Sequence, residues 1–399
     1  KMNFEESTQL KNWILDKDEL DKKRKENNIR ATHKILNSIK ESKQEKYRRC
    51  CLSADEELEL NNIFSNGIIE FFKSLKRSYR NLKTSNDSKM NNGLHNNMPP
   101  FVNDFVMEHT IMYFKRCLLN YSIMEVNYYI LMCSCIYLST KVCDNVISID
   151  SFIQVIKQVG NEVKEDHIRD YELLILNSME FEVHLHSPLT YFQVLSENFS
   201  RSLDDPSVLP DFNDVKSEYY KILCMSDLLF LYPPSTIAMA LLQYKLPSSC
   251  LHFIQNFVRS QFGLPVAFEQ SDQMMAEEEQ YVQQFLDELS TLTNHIQSFF
   301  DGELTPHMYP SKSLSESLSK RYNTVVNKLE NILNKEEEAK MNQLKQEKKQ
   351  KDEQKSKQER EEMENFQNRL KNGSLSKGPS MFEKFTEEEL QSPLRSRRG

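Results

Sequence analysis

Two charged residues in this chain stand where their neighbours predict burial. Lys141 closes Tyr137-Leu-Ser-Thr-Lys-Val142, the end of a run in which only Ser134 is polar between Tyr128 and Leu138. Glu172 precedes four apolar residues, Leu173 to Leu176, within Tyr171-Glu-Leu-Leu-Ile-Leu-Asn-Ser-Met-Glu-Phe-Glu-Val183. Removing a charge from water is costly, so charges held by apolar helices are found paired. Two outcomes fit the spacing. The pair can close on itself as an internal salt bridge, or it can offer donors (Lys) and acceptors (Glu) to the backbone of another chain. Leu138 and Val142, four residues apart, share a helix face beside Lys141, and Leu176 lies one turn beyond Glu172.

Other chemistry is thinly represented. The 8 glycines among 399 residues are never closer than five positions, so the sequence holds no GxGxxG loop and no P-loop. The eight cysteines include no CxxC. Cys133 and Cys135 fall on different faces of one apolar helical run, which favours reduced thiols over zinc or disulfides. His184 and His186 alternate in Val183-His-Leu-His186, but with no third ligand nearby they read as a connecting segment and no metal is expected. No Ser/His/Asp or Cys/His grouping has a local signature, so no catalytic nucleophile and no cofactor are assigned. A net charge of −8 argues against general nucleic-acid affinity. Pro233-Pro234 and Asp227 interrupt the one stretch long and apolar enough to suggest a membrane span, and the charged N-terminus does not read as a secretory leader.

The elements that must position Lys141 and Glu172 are helices. Gly is needed wherever a turn demands positive φ, and a chain with roughly 2% Gly against an average near 7% reads as all-α. Residues 1–48 form a charged segment with an apolar patch at Trp13-Ile-Leu15, read as one helix docked on a larger body. Ser53 with Glu56 reads as a capping box opening a helix to about Tyr79. Residues 83–98 read as a loop, and Pro99-Pro100 as the start of a helix through Leu119. Glu125 to Lys141 reads as one nearly all-apolar helix, which belongs at the centre of a bundle. Ser148 to Val159, ended by Gly160, and Glu165 to Met179 complete a set of five.

After Pro188 a second set of five recurs: Leu189–Phe199, Asp214–Leu231, Ser235–Leu246, Ser249–Gln261 and Met274–Phe300. In both sets the third helix is the most apolar and ends near a lysine, Lys141 or Lys245. The offset of about 100 residues suggests two copies of a five-helix bundle rather than a solenoid. Leu314, Leu318, Tyr322, Val325, Leu329 and Ile332 then form one stripe, so residues 304–334 read as a docked helix. Residues 335–371 read as a charged helix or a disordered segment, and 372–399 as a tail.

Several blocks resemble the cyclin family, and within it the cyclin H type. They are Met112-Tyr-Phe-Lys-Arg116, Ser122-Ile-Met-Glu125, Tyr171-Glu-Leu-Leu174 with Phe181, Leu231-Tyr-Pro-Pro-Ser-Thr-Ile-Ala238, and the terminal Phe385-Thr-Glu-Glu-Glu-Leu390. The likeness covers most of residues 10–335. It implies two tandem cyclin boxes, 49–186 and 187–303, flanked by terminal helices. It also implies a regulatory subunit that activates a cyclin-dependent kinase and is not itself an enzyme. The kinase implied is the one that activates other cyclin-dependent kinases, with a RING-finger assembly factor and general transcription factor H as further partners, in the nucleus. Another transcriptional cyclin, or a cyclin-fold factor binding DNA directly, is the alternative.

By the same resemblance Lys141 and Glu172 bond kinase backbone, and Leu138, Val142, Leu176 and Val183 receive an apolar side chain of the kinase's movable helix. Two features depart from the common cyclin pattern: Lys115 stands in the second helix where many cyclins carry Asp, which is similar to the H type, and Val142 is followed by Cys143 and Asp144 rather than two acidic residues. The first-box helix also lacks the Arg and Trp of cyclins that capture Arg-x-Leu motifs. The tail offers two phosphorylation candidates. Ser392-Pro-Leu-Arg395 fits a proline-directed site and Thr386-Glu-Glu-Glu389 an acidophilic one.

Overall fold

The computed structural model describes residues 4–85, 102–160, 162–203, 209–247, 250–261, 273–301 and 312–371. The family-like terminus at Phe385, both phosphorylation candidates and most of the loop expected at 83–98 lie outside them. All regular structure among the described residues is helical. The chain forms two units, Lys1–Glu330 and Asn331–Gly399. In the second, the charged sequence continues as helix to Lys371.

The N-terminal segment is three helices rather than one: α1 (Thr8–Trp13), α2 (Lys17–Asn37) and α3 (Glu41–Arg48). Capping divides them. Ser7 Oγ accepts from the Leu10 amide at 3.3 Å, and an Asp16 oxygen accepts from the Glu19 amide at 2.7 Å. The segment is docked. Trp13, Leu20, Ala31 and Ile35 are buried, and the Leu15 amide donates to the Phe230 carbonyl at 2.7 Å. Arg24 forks onto Asp227 at 2.8 and 2.6 Å, holding that carboxyl at about 2 against the pull of burial. The Trp13 ring covers Arg116, whose guanidinium carbon lies 4.7 Å from the ring centroid. Arg116 is fully buried and makes no side-chain hydrogen bond among the described residues, so the ring face is its main compensation.

Two successive series follow, the first of five helices and the second of five with an added single turn. The first is α4 (Ala54–Ser85), α5 (Asp104–Asn120), α6 (Tyr128–Val142), α7 (Ile149–Val159) and α8 (Glu165–Ser178). The capping box at Ser53 and Glu56 forms in both directions, at 2.8 and 3.2 Å, and α4 runs six residues past Tyr79. The next helix starts at Asp104, capped by Asn103, not at the prolines. The run from Glu125 to Lys141 is broken. A 3₁₀ turn spans Ile123–Glu125, Val126 is extended, and Asn127 caps α6. α6 is buried from Leu131 to Thr140 and packs on α5 and α8, as its composition requires.

The second series is α9 (Pro188–Ser200), α10 (Phe212–Met225), the single turn α11 (Leu228–Leu231), α12 (Pro234–Lys245), α13 (Leu251–Gln261) and α14 (Gln273–Asp301). The expected helix Asp214–Leu231 is therefore split at Ser226-Asp227. Buried Lys115 of α5 explains the split. Its ammonium donates to the Leu223 carbonyl at 2.9 Å and the Ser226 carbonyl at 2.5 Å, closing the C-terminus of α10. Burial lowers this lysine to about 8.

A second bridge joins the same elements. The buried Glu108 carboxylate accepts from Ser187 Oγ at 2.8 Å, in the segment between the series, and from the Tyr219 hydroxyl of α10. Burial pushes Glu108 up to about 7. α15 (Lys312–Lys371) opens with buried Leu318, Tyr322, Val325 and Val326. Its Arg321 bonds Glu56 at 2.5 Å and the Cys51 carbonyl at 2.5 Å.

Candidate functional site

Lys141 and Glu172 are brought together. Lys141 Nζ lies 2.5 Å from Glu172 Oε1, so the free chain holds the internal salt bridge that spacing alone allowed. The pair is not sealed. The Lys141 side chain is 38% exposed and that of Glu172 15%. Lys141 Nζ also stands 4.3 Å from the centroid of the Tyr137 ring, one turn back on α6. With one proton given to Glu172, the ammonium keeps two donors, and the carboxylate keeps lone pairs on its second oxygen. A half-exposed pair of this kind contributes about 0–1 kcal/mol to folding. Its fixed geometry is better suited to presenting polar groups than to holding the fold.

Both helices are followed by unusual backbone. After α6, Asp144 takes φ 54°, and the Asn145 amide returns to the Thr140 carbonyl at 2.8 Å. After α8, Glu180 and Phe181 take φ 52° and 63°, and the Phe181 amide returns to the Leu176 carbonyl at 2.9 Å. Helices commonly turn off through a left-handed residue, usually Gly. Among the described residues these are the three non-glycine residues with positive φ, and all flank the Lys141–Glu172 pair in sequence. Each costs about 1–3 kcal/mol of local strain, and such strain clusters at functional positions.

The four apolar candidates divide. Leu138 is 4% exposed and belongs to the core of the free chain; Val142, Leu176 and Val183 are partly exposed. The Val183 carbonyl is anchored by the Tyr113 hydroxyl at 2.5 Å. Sequence reasoning assigned no role to two more exposed apolar residues here. Leu173, next to Glu172, is 55% exposed, and Phe181 is 61% exposed. Leu173 is three residues from Leu176 and so on its side of α8, a spacing that was readable. The outward turn of Phe181 follows from its positive φ, which has no signal in its residue type. His184 and His186 lie edge to face, ring centroids 4.7 Å apart. His186 packs on Phe4, and no third ligand joins the two histidines among the described residues.

Comparison with known proteins agrees with this architecture. The model of the cyclin N-terminal domain matches residues 101–184, a stretch that contains the whole candidate site. Cyclin-H of Xenopus laevis is 27% identical over 242 residues, covering 59% of this chain and 66% of the relative, just under two thirds of its length. Cyclin mcs2 of Schizosaccharomyces pombe is 24% identical over 267 residues, 63% of this chain and 72% of the relative. A putative cyclin-H of Dictyostelium discoideum is 25% identical over 264 residues, 64% and 80%. Among solved structures, the yeast TFIIK (Kin28/Ccl1/Tfb3) complex contains a chain with TM-score 0.50 at 19% identity, covering 73% of this chain and 100% of that one. The CAK complex from Chaetomium thermophilum bound to ATP-γ-S contains one with TM-score 0.53 at 15% identity, covering 84% and 96%. The all-helical fold is thus shared with chains of these two complexes, and the chain is similar, across residues 101–184, to the cyclin N-terminal domain and, over a longer stretch, to cyclins of the H type.

Proposed function

We propose that this chain is the regulatory subunit of a cyclin-dependent kinase of the kinase-activating type, and that it grips the kinase through Lys141 and Glu172. The observation that carries the reading is the half-exposed Lys141–Glu172 pair, framed by exposed Leu173 and Phe181 and by strained helix ends. Spare donors and acceptors beside apolar surface fit a short backbone segment with one apolar side chain, and burying such a side chain contributes about 1.5–3 kcal/mol. Activation is then a population shift. The cyclin binds the kinase conformation whose movable helix points inward, favouring the kinase's own catalytic Lys–Glu pair. Catalysis lies with the kinase, and this chain supplies binding energy.

The similarity to cyclin H carries the finer parts of the reading: a RING-finger assembly factor and general transcription factor H as further partners, and a nuclear site of action. Phosphorylation at Thr386 and Ser392 belongs to the same reading, and mass spectrometry of protein from its native cells tests it. The main test is co-purification with mass spectrometry, followed by a kinase assay. The expected result is capture of a cyclin-dependent kinase whose activity rises on addition of this chain. Phosphate transfer from ATP by the purified chain alone, or salt-sensitive retention on DNA in place of kinase capture, overturns it.

A further inference from the structure

The start of α6 is held by an unusual set of partners. The first amides of a helix have no partner within it. In α6 the amides of Tyr129 and Ile130 donate to the cap oxygen of Asn127, at 3.0 and 3.3 Å. The amides just before them are met by tyrosines from two other helices. The Asn127 amide donates to the Tyr171 hydroxyl of α8 at 2.9 Å. The Tyr128 amide donates to the Tyr322 hydroxyl of α15 at 2.8 Å, and that hydroxyl donates on to the Val126 carbonyl at 2.9 Å.

Rings and a carboxylate lock the arrangement. Phe64 stacks on Tyr128 at 3.9 Å, Tyr322 meets both rings edge-on at 5.4 and 5.9 Å, and the Asn127 side-chain Nδ2 donates to Glu330 Oε1 at 3.0 Å. Tyr322 is 2% exposed, so water does not readily replace it.

Tyr171 immediately precedes Glu172. Tyr171 meets the amide of Asn127 at the start of α6, while Glu172 meets the ammonium of Lys141, which stems from its last turn. α6 is a rod of 15 residues, about 22 Å long, with Lys141 at its far end. We infer that the hydroxyls of Tyr171 and Tyr322 are positioning groups: they fix the axial position and rotation of α6, and so place Lys141 beside Glu172 in the geometry that grips a partner. This rests on the kinase-binding reading above. It makes the opening turns of α15 a functional strut for a site at the opposite end of α6.

The test measures kinase affinity and thermal stability of the full chain as wild type, Tyr171→Phe, Tyr322→Phe and Val325→Ala, each also in a Lys141→Ala background. Val325 is fully buried on the same helix as Tyr322 and touches no part of the α6 cap in the hydrogen-bond network, so it controls for lost stability alone. Each Phe variant is expected to weaken kinase binding about 3- to 10-fold, with most of that effect gone once Lys141 is Ala, because coupled positions are non-additive. Val325→Ala is expected to lower the melting temperature while leaving affinity within about twofold. If Tyr322→Phe folds poorly, Tyr171→Phe, which strands a single amide, decides the question. Phe variants that lose stability yet bind within twofold of wild type, or effects that add fully to that of Lys141→Ala, overturn the inference and leave the kinase reading standing. A wild-type chain that binds no kinase overturns both.

Discussion

The long third helices of the two series, α6 and α12 (the single turn α11 set aside), end alike but expose their charged pairs differently. Each closes on a lysine paired with a glutamate: Lys141 with Glu172 at 2.5 Å, Lys245 with Glu218 at 2.6 Å. Each ammonium lies near a tyrosine ring, at 4.3 Å from Tyr137 and 5.4 Å from Tyr244. The partners come from different places, however. Glu172 stands on α8, the fifth helix of its series, whereas Glu218 stands on α10, the second of its own. Phe300 of α14 stacks on Tyr244 at 5.4 Å, and the Lys245 side chain is 19% exposed, half the value for Lys141. Each series of helices must bury its apolar residues. Its charges are under no such constraint, so one series can close over its pair while the other leaves it open beside exposed apolar residues.

The largest expected effect tests this difference directly. Lys141→Ala and Glu172→Ala should each weaken kinase binding about 5- to 150-fold, the equivalent of about 1–3 kcal/mol for a partner group left unsatisfied. Their melting temperatures should barely move. Lys245→Ala and Glu218→Ala should leave affinity within about twofold. Equal losses from both pairs in titration calorimetry would erase the distinction. Next in size is Phe181→Ala, expected to cost about tenfold or more in affinity through lost apolar burial. Phe300→Ala should instead cost about 1–2 kcal/mol of stability in denaturant melts and spare binding.

A third effect concerns two buried carboxyls, Glu57 of α4, which accepts from Ser122 Oγ, and Glu108 at the junction between the series. Glu57 and Glu108 are both pushed up from 4.5 to about 7, chiefly by burial. The folded state then holds protons that the unfolded state has released, so stability falls as pH rises from 4.5 to about 7 and levels above it. Each group can contribute up to about 1.4 kcal/mol per pH unit in that window. Glu108→Gln should make the denaturation midpoint less dependent on pH there; an unchanged slope would place Glu108 outside this linkage. The smallest is Glu180→Gly, expected to raise stability by about 0.5–1 kcal/mol by relieving a left-handed backbone. No gain in melting temperature would mean that the turn after α8 is not strained.

Much of this was legible in the residues. The helical class followed from scarce Gly, the capping box from Ser53 and Glu56, and the end of α7 from Gly160. The pairing of Lys141 with Glu172 followed from two charges in apolar runs. The misreadings share one physical cause. The breaks at Val126-Asn127 and Ser226-Asp227 interrupt patterns that are locally continuous, and both are stabilised from far away. The first is met by Tyr171 and Tyr322, the second by Lys115 and Arg24. Periodicity reports which face is apolar, and cannot report a hydroxyl or an ammonium arriving from another helix. Phe181 was missed for a related reason: its exposure depends on backbone handedness rather than on its own hydrophobicity.

The buried ammonium of Lys115 has a consequence for how the chain is made. Its acceptors, the carbonyls of Leu223 and Ser226, lie 108 and 111 residues downstream. At a synthesis rate of about 5–20 residues per second, Lys115 is added roughly 5–20 s before they exist. During that interval the lysine must stay hydrated, and the surface that later receives α10 must stay open. The first series therefore cannot reach its final packing alone. A nascent chain stalled before residue 226 should expose Lys115 to amine-reactive labelling, and one released at full length should protect it.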